Sequence, residues 1–144
     1  MNLTDNVKIM EVLTPDGAAN NTDANSDRID MSGWDGVVFV VPITDIADTA
    51  VATLKVEANT ADSDTGMAAI TGASAAVTSG GNDDENDQLL IVDVFRPQKR
   101  YVQGVITSSV ANVAFGNMIA ILYNGSKFPV TQHATVEAIA QVTG

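Results

Sequence analysis

Apolar and polar positions in this chain change over in short runs, closed by turn residues at intervals too short for long helices. Val7 to Leu13 is a first apolar segment. Thr14-Pro15-Asp16-Gly17 follows, where Pro sets the turn dihedral and Asp-Gly tolerates the return. Ala18 to Asp27, rich in Asn, Asp, Ser and Ala, reads as a loop. Arg28 to Met31 alternates as a half-buried strand does, and Ser32 to Gly36 reads as a turn. Val37 to Val41 is a continuous apolar run between Gly36 and Pro42, the pattern of a central strand covered on both faces. Pro42, which has no N–H to give a ladder, is expected to end it. Thr44 to Ala52 is ambiguous and would admit a short helical turn.

Thr53 to Ala58 alternates cleanly, with Leu54, Val56 and Ala58 on one face and Thr53, Lys55 and Glu57 on the other. That is a strand with one wet face. Asn59 to Gly66 is a polar, acidic turn. Met67 to Val77 is built of small residues and reads as a strand or a loosely packed loop, with Gly72 against a helix. Thr78 to Gln88 carries a dense acidic run and should be solvated. Leu89 to Phe95 is a strand stopped by Arg96-Pro97. Arg100 to Thr107 alternates again, so Phe95 to Tyr101 looks like a hairpin corner. Met118 to Tyr123 is a further strand, with Asn124-Gly125 as a hairpin turn signal. Ala134 to Ala140 is helix-like or part of an extended tail.

Seven or eight short strands with turn chemistry between them predict an all-β, mainly antiparallel fold, a single β-sandwich or jelly-roll-like domain over 1–144. It divides into an N-terminal segment and polar loop (1–27), a β core (28–131) and a C-terminal tail (132–144), with both ends expected to be flexible. Composition fits this. The chain has 144 residues, 45% hydrophobic but only 5% aromatic, so its core must rest on Val, Ile, Leu, Ala and Met. Val and Ile favour strands because branching at Cβ suits a pleated surface.

Charge narrows the function. Eighteen acids against seven bases give a formal net charge of −11. A field of that sign repels phosphate backbones, which disfavours nucleic acid as a partner. There is no cysteine, hence no disulfide or thiolate chemistry. No apolar window is long enough to span a membrane as a helix. Met1 to Asn6 lacks a basic region followed by an apolar run, so assembly inside the producing cell is expected.

Candidate chemistry is sparse. The one histidine, His133, lies in a polar context and reads as a surface residue. No Gly-x-Ser-x-Gly elbow, phosphate-binding loop or dinucleotide fingerprint occurs. Asp62-Ser63-Asp64 and Asp83-Asp84-Glu85-Asn86-Asp87 offer oxygen ligands, but neither completes a calcium loop, and solvated loops are the simpler reading. No catalytic, cofactor-binding or metal-ligating residue is assigned. The most informative segment is Asp93 to Tyr101, where Arg96, Lys99 and Arg100 gather three of the seven bases. One reading makes Phe95, Arg96, Lys99, Arg100 and Tyr101 an exposed corner that docks on an acidic partner, since Arg and Tyr often carry interface energy. The other pairs the arginines internally with Asp93 or the acidic loops and buries the aromatics. Trp34 reads as a partly buried turn anchor.

Trp34-Asp35-Gly36-Val37-Val38-Phe39, Ala52 to Ala58 and Gly66 to Ala73 together resemble small virion proteins of tailed bacteriophages. So do Val92 to Tyr101, Ala111-Asn112-Val113-Ala114, Ile119 to Tyr123 and Lys127-Phe128-Pro129-Val130-Thr131. The resemblance covers most of 28–131 and leaves the first 27 residues outside. It implies an auxiliary head protein: a non-catalytic capsid decoration (cement) protein on the virion surface, assembled in the host cytoplasm. It also implies the major capsid protein as partner and self-association, a trimer being suggested by where such proteins bind. It supplies no active-site residues. A head–tail connector or tail component, and a carbohydrate-binding β-sandwich module, are the alternatives; an enzyme is disfavoured.

Overall fold

The strand pattern resolves into two antiparallel sheets in the computed structural model, which describes residues 2–15, 21–81 and 83–144. The strands are β1 (Lys8–Leu13), β2 (Thr22–Asn25), β3 (Ile29–Asp30), β4 (Trp34–Ile46), β5 (Val51–Asn59), β6 (Ala68–Thr78), β7 (Leu89–Phe95), β8 (Tyr101–Ser109), β9 (Val113–Phe115) and β10 (Met118–Gly125). Sheet I has the order β1-β10-β4-β7, with β9 beside the end of β4. Sheet II has the order β2-β8-β5-β6, with β3 beside β8. Leaving aside the short β3 and β9, successive strands are dealt between the two sheets in the order of a jelly roll. The expectation of an all-β sandwich holds.

The two inner faces supply the core. Val37, Phe39, Val41, Ile43, Met118, Ala120 and Leu122 of sheet I meet Ala52, Leu54, Val56, Val102 and Ile106 of sheet II, all almost wholly buried. Alternation does this work: in β5 Leu54, Val56 and Ala58 point inward and their neighbours outward, as the period of two requires. Gly104 marks the tightest layer. A Cβ there would lie 2.5 Å from Met118 Sδ and 3.0 Å from Phe39 Cδ1, so the glycine lets the sheets close.

Several sequence expectations change. Val37 to Val41 is not covered on both faces: Val38 and Val40 point outward, half-buried. Pro42 does not end the strand; β4 continues to Ile46. The reason is a change of neighbour. Pairing with β10 stops at Val40–Ile119 and pairing with β9 starts at Ile43–Phe115, so Pro42 sits in the gap, while its carbonyl accepts from Gly116 N–H at 2.9 Å. Thr44 to Ala52 is strand, a turn after Ile46 and strand again, with no helical turn. Trp34 to Gly36 belongs to β4, leaving the turn at 32–33.

Within Ala18 to Asp27, residues 22–25 form a strand on β8 although only Ala24 is partly buried; an edge strand held by its backbone needs few apolar side chains. Asp16, Gly17 and residues 18–20 lie outside the described residues. Met67 to Val77 is the strand reading, β6. Phe95 to Tyr101 is not a hairpin: β7 and β8 lie in different sheets, and the connection crosses between them. Asn124-Gly125 is no hairpin turn either, because Gly125 pairs with Trp34 at the end of β10. The acidic run at 83–87 exposes Asp83, Asp84 and Asp87, yet its backbone is tied to β4. Asp87 N–H donates to the Ile43 carbonyl at 2.8 Å, and Ile46 N–H donates to Asn86 Oδ1 at 2.9 Å.

The ends of the chain meet. Residues 134–140 form no helix. Gln132 Oε1 accepts from Ile9 N–H at 2.8 Å, and Thr135 Oγ1 accepts from Glu11 N–H at 3.1 Å, so the tail lies along the free edge of β1. Gln132 Nε2 donates to the Thr4 and Val7 carbonyls, and Gln141 Nε2 to Thr4 Oγ1 and Asp5 Oδ1. The expectation of two flexible ends is thus qualified: both are fastened to β1 and to each other.

Candidate functional site

The connection after β7 positions the basic corner. Phe95 is the last residue of β7, 56% exposed. Arg96 follows in the left-handed region at φ 53°, a conformation that costs an L residue on the order of 1–2 kcal/mol. It is held there by its N–H, which donates to the Asp35 carbonyl at 2.6 Å. The turn throws the Arg96 guanidinium back over the Phe95 ring, 5.0 Å from its centroid, within cation–π range. The Tyr123 ring is stacked with that of Phe95 at 6.5 Å and 10°. Gly36, opposite both in register, makes this possible: a Cβ there would collide with the Tyr123 ring.

Tyr123 O–H donates to Asp93 Oδ1 at 2.6 Å. Burial, and then that hydrogen bond to a carboxylate, push the Tyr123 phenol up to about 12.

The five corner residues do not act together. Phe95 and Arg96 face outward from the end of sheet I. Arg100 turns to sheet II and forms a two-pronged ion pair with Asp30, both contacts at 2.8 Å, while lying 5.3 Å from the Tyr101 ring. The Arg100 bond, aided by Ser32 N–H, draws the Asp30 carboxyl down to about 2. Lys99 is half-buried, beside Ala58 and Ala68 to Ile70, and Tyr101 pairs with Asp30 and Asn59. Arg100 is thus paired internally, but with Asp30 of β3 in place of Asp93 or the acidic loops, while Phe95 and Arg96 are exposed.

What the sequence reading missed is the surface that Phe95 crowns. The outer face of sheet I is apolar across four strands. Adjacent rows run Leu89–Pro42, then Ile91–Val40–Ile119–Glu11, then Asp93–Val38–Ile121–Ile9, then Phe95–Gly36–Tyr123. Leu89 and Ile91 are 57% and 52% exposed. Strand spacing and rise make this face roughly 400 Å² in projection, within the roughly 300–600 Å² of the largest apolar patch on a typical monomer, a patch that is often functional. Its acids are Asp93, engaged by Tyr123, and Glu11 at the margin. The signal was present in the runs Val37–Val41, Leu89–Val92 and Met118–Leu122, which are apolar at outward as well as inward positions.

The other candidates resolve into structure. Asp62 and Asp64 hold Arg28, at 2.6 and 2.8 Å. Among the described residues no group of three or more His, Cys, Asp and Glu could hold a metal ion. His133 Nδ1 accepts from Thr135 N–H within the tail. Trp34 is half-buried against the core, and its ring lies on Gly125, where a Cβ would come within 2.8 Å.

No family model matches this chain, and no curated protein does. Among solved structures it is similar to the PBSX exported protein XepA, at 15% identity and a TM-score of 0.54, over 100% of this chain and 45% of that one. The chain thus spans less than half the length of that protein, and the likeness is one of fold. It is also similar to a structure described as Bacillus endospore appendages forming disulfide-linked pili, at 16% identity and a TM-score of 0.49, over 84% of this chain and 90% of that one.

Proposed function

We propose that the protein is a non-catalytic structural component of a tailed-phage virion, a capsid decoration protein that grips the assembled major capsid lattice. The observation that carries the proposal is the apolar outer face of sheet I, presented by a chain of net charge −11. A strongly acidic protein is kept soluble by charge, and an uncharged face on it is a place where it can touch something. The Phe95–Arg96–Tyr123 corner at one end of that face adds an aromatic anchor and an exposed cation, the residue types that concentrate binding energy.

The area also constrains the mechanism. The face is smaller than the roughly 800 Å² that each partner contributes to a standard stable interface. A single contact would be weak, and several copies engaged on one lattice would hold through effective concentration. Such a protein binds the assembled shell in preference to free subunits and so stabilises the shell by mass action. The resemblance to small tailed-phage head proteins supplies the partner.

The test is quantitative mass spectrometry of virions fractionated into heads and tails, followed by stripping and add-back on heads. Many copies confined to heads, and lower thermal resistance of stripped heads that add-back restores, are expected. A dozen or fewer copies at the neck or tail would replace decoration with the connector reading. Heads whose resistance is unchanged by stripping would overturn the stabilising role.

A further inference from the structure

The four edges of the two sheets are treated unequally. An open edge is a row of unpaired N–H and C=O groups, a template for another strand unless charge, shortness or cover blunts it. β1 is covered by the tail through Gln132 and Thr135. β2 is 4 residues long and carries Asp23. β7 has Asp93 near its centre. β6 is 11 residues long, pairs among the described residues only with β5, and contains neither a charged residue nor a proline.

A bulge divides β6. Lys55 pairs with Ser74 but Glu57 pairs with Ala69, so residues 70–73 leave the ladder, with Gly72 at φ 83°. The straight run that remains is Ser74 to Thr78, regularly paired to β5. Its outward side chains, Ser74, Ala76 and Thr78, are small and exposed. Five residues is a usual strand length.

We infer that β6 is a self-association edge: two copies of this chain join their second sheets through antiparallel pairing of Ser74–Thr78 about a twofold axis at Ala76. The charge distribution selects this occupant. Most approaches between two molecules of net charge −11 oppose like charges. In this pairing Ser74 faces the copy's Thr78, Ala75 its Val77 and Ala76 its Ala76, and no facing pair across the joint holds an ion. A twofold contact is self-complementary and closes at two copies, in place of the trimer expected above. The inference concerns the free protein and does not depend on what lattice it binds.

Sedimentation or light scattering on the purified chain reads the outcome. Twice the chain mass is expected in the micromolar range. Like charges directly opposite one another in a sheet are destabilising, so Ala76→Glu and Ala76→Lys should each weaken the dimer at least about tenfold. Mixing the two variants should restore it, and Ala76→Ser should leave it intact. Ala76 is exposed, so all three should melt as the parent does. Hydrogen exchange supplies an independent reading: the amides of 74–78 that point away from β5 should lose protection in the parent on dilution. A parent that stays monomeric, a trimer, a dimer indifferent to charge at Ala76, or edge amides indifferent to dilution would overturn the inference. Adding the monomeric variant to stripped heads tests the decoration role separately.

Discussion

Tyr123 shows how much one residue draws on its surroundings. Its ring needs Gly36 beneath it, Phe95 beside it and Asp93 at its hydroxyl. Burial and an adjacent carboxylate both disfavour a phenolate. The folded phenol, raised to about 12, therefore adds stability that is complete below the unfolded value near 10 and lost as pH climbs through 12. If the fold persists, the Tyr123 wave of tyrosinate absorbance should come near pH 12. Asp93→Asn should move that wave down while leaving part of the shift, because burial is the larger cause. If Asp93→Asn leaves it unmoved, the hydrogen bond contributes nothing in solution. Gly36→Ala should displace the ring and destabilise the fold by about 1–3 kcal/mol, the usual range for overpacking, read as a lower denaturation midpoint.

At the scale of elements, the sequence was most legible where one face is buried and the other wet. β5 follows its alternation residue by residue from Thr53 to Ala58. It was least legible where partners far along the chain decide. Pro42 survives inside a strand because β10 and β9 change places beside it. The Phe95–Tyr101 connection has a hairpin's length but spans two sheets, and strand spacing along the chain carries no information on which sheet a strand joins. Of the corner residues, exposure of Phe95 and Arg96 was one of two readings that the sequence left open. The Arg100 pairing with Asp30, 70 positions away, was not, since any of the acids could have served.

The same long range governs β1. Gln132 makes three hydrogen bonds, one to Ile9 N–H and two to the Thr4 and Val7 carbonyls. Gln132→Ala should cost about 1–3 kcal/mol, because buried or half-buried backbone groups lose partners. Denaturant titration gives the value, and hydrogen exchange at Ile9 should quicken. An unchanged midpoint would mean that water replaces the side chain without loss.

On the scale of the whole molecule, charge and apolar surface are separated. Acids occupy the loop at 83–87 and much of the remaining surface, while the outer face of sheet I is nearly free of them. Replacing an exposed residue away from tight packing usually changes stability by less than about 0.5 kcal/mol. Ile91→Asp, at a 52% exposed position on the edge strand β7 of that face, should therefore leave the melting temperature almost unchanged and weaken binding to stripped heads at least about tenfold. Equal binding by the variant would move the contact to another surface.

The clasp between tail and β1 gives the molecule a direction of mechanical weakness. The tail is joined to β1 by a few side-chain hydrogen bonds, at Thr135 and then Gln132. β1 is joined to β10 by a backbone ladder from Lys8 to Leu13. Tension applied at the carboxyl end would break the tail bonds one after another, while tension across the sheet would load the ladder together. Pulled by its tail in an optical trap, the protein should yield first in a small, low-force step of tail release. Rupture of the sandwich should follow at higher force, and Gln132→Ala should abolish or weaken the first step alone.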